Sequence, residues 1–85
     1  MGEIPVEHFL GQIELFPYNF APVAWAPCEG QSIQINSNIA LYSLIGTTFG
    51  GDGQTSFQLP DLKGKEPAPG LQYCIAIEGI FPQRN

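Results

Sequence analysis

Apolar and polar residues follow different rhythms along this chain, and each rhythm predicts an element. From Gln12 to Phe16 they alternate, with Ile13 and Leu15 on one face and Gln12, Glu14 and Phe16 on the other, as in a half-buried strand. The stretch Leu71–Ile77 alternates more strongly. It places Leu71, Tyr73, Ile75 and Ile77 on one face, and Gln72, Cys74, Ala76 and Glu78 on the other. These two strands are expected to pair, bringing the start of the fold to its end. Shorter strands are predicted at Ser32–Ile35, after a Glu29-Gly30 turn, and at Thr55–Leu59, which Pro60 and Asp61 stop.

Between the short strands the rhythm becomes helical. Asn36, Ser37 and Asn38 form a polar cap before Ile39–Ile45, and Gly46 follows as the stop. Ala40, Leu41, Leu44 and Ile45 fall at the spacings of one buried face. About two turns of helix are not stable alone in water, so neighbours must hold this one. The run Gly50-Gly51-Asp52-Gly53 supplies a tight return into the next strand, since glycine tolerates positive φ. Pro17, Asn19 and Pro22 force a loop ahead of Trp25, the largest apolar side chain. The expected core anchors are Trp25, Leu41, Leu44 and Phe57, and the turn residues are Gly46, Gly50, Gly51 and Gly53. The fold class read from these patterns is α+β, a small single domain of short strands with one short helix.

Residues 1–10 have no clear period. Pro5 disfavours a helix just before it, so they are expected to form an extended arm ahead of a domain at 11–85. Ile4, Val6, Phe9 and Leu10 are its apolar contacts, assigned to a neighbouring copy, with packing on its own subunit as the alternative, and His8 is a solvated arm residue.

Composition narrows the function. With 44% hydrophobic and only 13% charged residues, 85 residues leave much uncharged surface, some of it expected to be covered by copies of the chain. The net charge of −5, with three cations, argues against nucleic acid and anionic membranes as partners. No apolar run approaches the roughly 20 residues of a membrane span. MGEIPVEHFL lacks the basic region and apolar core of a signal peptide, so synthesis in the cytoplasm is expected. Cys28 and Cys74 are expected as buried free thiols, with a disulfide between them as the alternative.

Catalytic and metal chemistry finds little to work with. One His and two distant Cys do not form a ligand set, and no base accompanies either thiol. GTTFGGDGQT fails the spacings of both common phosphate loops, and Asp52 would repel an anion there. Asp52 and Asp61 suit turn and cap roles. Neither an enzyme nor a cofactor is expected.

The central run ALYSLIGTTFGGDGQTSFQLPDLKGK resembles the phage tail collar domain family, also described as microcystin-dependent proteins. GQIELFPYNFAPVAWAPCEGQSIQI resembles the family's opening and YCIAIEGIFPQRN its close, so the resemblance covers roughly Gly11 to Asn85. It implies a structural, self-assembling component of a phage tail, a tail-like particle or a surface fibre. The implied assembly is a homotrimer, with other tail or fibre proteins as further partners. It also implies a departure: fuller relatives carry a long variable insertion after the position of Lys65, where this chain has only Glu66–Gly70. The alternative function is a module that binds a cell-surface glycan or receptor through Tyr18, Phe20, Trp25 or Tyr42.

Overall fold

The computed structural model describes residues 8–83. Its elements are β1 (Ile13–Phe16), β2 (Trp25–Pro27), β3 (Ser32–Gln34), α1 (Ile39–Ile45), β4 (Ser56–Gln58) and β5 (Gln72–Ala76). They make an α+β fold of two small antiparallel sheets and one helix. The first sheet has the order β1-β5-β2 and the second pairs β3 with β4. Ile13 lies opposite Ile75 and Phe16 opposite Gln72, so the two alternating segments do pair. On the other edge of β5, Trp25 lies opposite Ala76 and Pro27 opposite Cys74.

β2 falls in a stretch read from the sequence as loop leading to Trp25. Three residues that include a proline carry no periodic signal, and the strand exists because β5 offers it an edge. Pro27 is tolerated because it closes an edge strand, where a missing N–H removes little from the ladder. Central β5 is covered on both faces: Cys74, Ile75 and Ala76 are all buried, so its alternation does not separate inside from outside. Conversely, Ile13 on edge strand β1 remains exposed.

The core is built from Leu10, Cys28, Leu41, Phe57, Leu59 and Ile75, with Leu44, Ile45, Tyr42 and Tyr73 packed around them. Phe57 is the largest fully buried side chain, and its ring meets Tyr42 at a centroid distance of 5.2 Å. Each such large apolar side chain contributes about 1.5–3 kcal/mol on leaving water. Leu41 is the buried residue of α1. Leu44 is half-buried against the core, and Ala40, expected on the same face, is exposed. A helix of barely two turns shows the core too narrow a stripe to bury both ends of that face.

Trp25 is not in the core. It is half-buried at the edge of the first sheet, between the rings of Phe16 and His8. A side chain at the end of a three-residue edge strand stays partly open to solvent, however large it is. Leu10, assigned to a neighbouring copy, is buried in this chain's own core. Its N–H donates to the Ile80 carbonyl at 2.8 Å, the Ile80 N–H donates to the His8 carbonyl at 3.0 Å, and Phe9 bridges Ile80 in parallel. Residues 8–10 are thereby part of the domain. Phe9 is exposed, while Ile4 and Val6 lie outside the described residues.

The β3–β4 pairing is prolonged toward the first sheet by further backbone bonds. The Leu59 N–H donates to the Gln31 carbonyl at 3.1 Å, and the Leu62 N–H to the Cys28 carbonyl at 2.9 Å. The chain after β4 therefore runs back beside the β2–β3 link, and Glu29 pairs with Asp61 across it.

Candidate functional site

Among the described residues, no group of three His, Cys, Asp or Glu side chains is placed to hold a metal ion. Cys28 and Cys74 are free and buried. Burial, reinforced by the neighbouring Cys74, pushes the Cys28 thiol up to about 11, which is the opposite of what a nucleophile requires. Burial and the charge of Glu29 push Cys74 in the same direction.

The carboxylates are committed to separate turns. Asp52 Oδ1 accepts from the N–H groups of Gln54 (2.8 Å), Thr55 (2.9 Å) and Ser56 (3.0 Å), and Oδ2 accepts from the Thr55 hydroxyl (2.9 Å). These bonds, led by that from Gln54, hold the carboxyl far below the usual carboxylate range. Asp61 Oδ1 accepts from the Lys63 N–H at 3.2 Å and closes a smaller turn. Asp52 fixes the return into β4, and the glycines around it make that return geometrically possible. Gly50, Gly51 and Gly53 all have positive φ. Gly46, also at positive φ, ends α1 with its N–H on the Tyr42 carbonyl at 2.8 Å.

The feature with a free surface is aromatic. Phe16, at the end of β1, begins a run in which every second residue is a ring. Phe16 stacks on Tyr18 with centroids 5.8 Å apart, and Tyr18 stacks on Phe20 at 5.1 Å. The chain bends from Pro17 to Phe20 beyond the end of β1, and this folded loop brings the three rings together. Trp25 stands edge-on to Phe16 at 5.0 Å, and His8 closes the row against Trp25 at 4.8 Å. His8 is not simply solvated: its Nε2 donates to the Glu78 carbonyl at 2.8 Å. Exposure rises along the run, from half-buried Phe16 to Tyr18 at 41%, Phe20 at 60% and Val23 at 93%.

The loop that carries this ridge is held firmly. The Trp25 N–H donates to the Pro22 carbonyl at 3.0 Å, and the Ala24 carbonyl accepts from the Ile77 N–H at 2.9 Å. Ala24 adopts φ +76°, the one positive-φ residue other than glycine among those described. Of the four aromatic residues considered from sequence, Tyr18, Phe20 and Trp25 join this row. Tyr42 does not: it packs on Phe57 and its hydroxyl donates to the Gly53 carbonyl at 3.3 Å. Phe16, His8 and Val23 were not picked out, although the two-residue spacing of Phe16, Tyr18 and Phe20 was a readable signal.

Two open grooves also lie on the described surface. One is polar and uncharged, lined by Gln34, Ile35, Asn36, Gln54, Thr55 and Ser56 beside the β3–β4 pair. The other runs between Ser43 and Leu44 of α1 and the segment Phe81–Gln83. No described helix is long and apolar enough to cross a membrane.

No curated protein matches the chain. The sequence model of the Phage Tail Collar Domain matches residues 11–67, well over half of it. The matched span takes in the aromatic ridge, the glycine turn with its Asp52 knot, and four of the five strands. This chain belongs to the phage tail collar domain family.

Proposed function

We propose that this protein is a structural, self-assembling component of a phage tail, a tail-like particle or a surface fibre, and that it works as a homotrimer, with other tail or fibre proteins as neighbours. The observation that carries this reading is the amount of apolar surface left uncovered on one copy. Phe9, Ile13, Tyr18, Phe20, Val23, Ile39, Phe49, Ile80 and Phe81 are all exposed on a chain with only 13% charged residues. Among them Tyr18 and Phe20 adjoin as stacked rings, and contiguous apolar surface marks a place where something else docks. Family membership supports the setting, a phage tail.

A glycan-binding role has weaker support. Sugars stack on free ring faces, and in the ridge Phe16, Tyr18 and Phe20 largely turn their faces to one another. Light scattering on the gel-filtered protein at micromolar concentration tests the proposal. The expected mass is three times 9.3 kDa, and a clean 9.3 kDa particle overturns it.

A further inference from the structure

We infer that the uncharged ridge of Tyr18 and Phe20, with neighbouring Val23, is the face through which copies of this chain meet. The inference rests on the self-assembly proposed above and names its surface. Copies of a chain with net charge −5 repel one another, so they need a contact from which charge is absent. From Leu15 to Cys28 there is no charged side chain. A cationic partner would gain nothing on this face. The polar side-chain groups of that stretch are Asn19, the Tyr18 hydroxyl and the Trp25 indole N–H.

A second uncharged stretch, Gly30–Gly51, also has exposed apolar residues, Ile39 and Phe49. There they stand among Asn36, Ser37, Thr47 and Thr48, whereas the ridge is a continuous stack of rings. The ridge exposes on the order of 300 Å² of apolar side chain, comparable to the largest patch on a typical monomer, which is often functional. That is the centre of an interface rather than all of it, which is where binding energy concentrates.

Its preparation also fits. The loop is braced by Pro17, Pro22 and the bonds at Ala24 and Trp25, so little freedom remains to be lost on association. Ala24 holds a backbone conformation that L residues rarely adopt, and such conformations cluster where a segment must be presented in one way.

The experiment compares three proteins by light scattering and urea unfolding: the parent, the double variant Phe20→Ser with Val23→Ser, and a control with Ile39→Ser and Phe49→Ser. The expected result is an assembled parent and control, and a ridge variant that falls to 9.3 kDa while still unfolding cooperatively. A ridge variant with the parent's assembled mass overturns this inference and leaves self-assembly standing. A parent that is itself 9.3 kDa overturns both. Should the double variant fail to fold, Val23→Cys is read instead under mild oxidant. Disulfide-linked pairs of copies support the inference, and a thiol that stays unlinked within an assembled particle overturns it.

Discussion

Gly51 lies directly against the backbone of Phe57. A Cβ at position 51 would collide with the Phe57 Cα and come within 2.7 Å of the Ser56 carbonyl oxygen. Backbone atoms of a paired strand cannot move aside as a flexible side chain can. With φ at +105°, the position is closed to other residues on two independent grounds. Gly51→Ala is expected to cost at least about 3 kcal/mol. Gly64→Ala, at φ +85° but with open space around it, should cost only about 1–2 kcal/mol from backbone strain. Urea midpoints of the two variants measure the difference.

Phe57, and not Trp25, should dominate the core. Phe57 is wholly buried at the centre of the cluster, and Phe57→Ala is expected to remove about 3–5 kcal/mol, enough to abolish cooperative unfolding in so small a domain. Trp25→Ala removes a side chain that is only half-buried and should cost roughly half as much. Thermal melts of the two variants decide the order. A Trp25 variant that unfolds first would reverse the assignment of the anchor.

The Asp52 knot makes stability depend on acid. Its carboxyl is held below the unfolded value of about 3.9. The charged form is therefore the one the fold prefers, and its contribution is complete above about pH 5. As pH falls further the unfolded chain takes up the proton first, and the contribution drains away. The expected result is that Asp52→Asn is less stable than the parent at pH 7 and that the gap narrows toward pH 2. Urea midpoints across that range measure it, and a constant gap would mean the amide replaces the carboxylate at every pH.

Cys28 should be silent to thiol reagents in the native protein. Its thiol is buried and pushed up to about 11, so almost none is thiolate at pH 8. A chromogenic disulfide reagent should titrate neither cysteine until denaturant is added, and then both. The same shift predicts that stability declines as pH rises above about 9, where the unfolded chain ionises before the folded one. Fast labelling at pH 8 without denaturant would show that the site opens readily.

Local chemistry was legible in the sequence. Asn38 sits at the N-cap position, Ile39–Ile45 form the helix, and Gly46 stops it at positive φ, because caps and stops act on the backbone within a few residues. Even there the mechanism differs in detail: the Asn38 side chain donates to the Gln34 carbonyl and makes no cap bond to the helix. The alternation of Gln12–Phe16 and Leu71–Ile77 announced two strands, and their strong apolar content made them each other's best partners.

What the sequence could not carry was burial, which depends on the number of sides from which an element is covered. Trp25 has the size of a core anchor, but its edge strand leaves one side open, while Phe57 in a three-residue strand is enclosed by α1 and by Leu59 and Ile75. β2 itself has no local signal and is created by the free edge of β5. The same holds for the candidate surface. The spacing of Phe16, Tyr18 and Phe20 is written in the chain, yet only the folded loop stacks their rings, sets Trp25 against them and leaves Val23 in solvent. Backbone preferences are local and can be read residue by residue. Which side chains end up against one another is settled by contacts between segments far apart in sequence, and here the tertiary structure alone decided them.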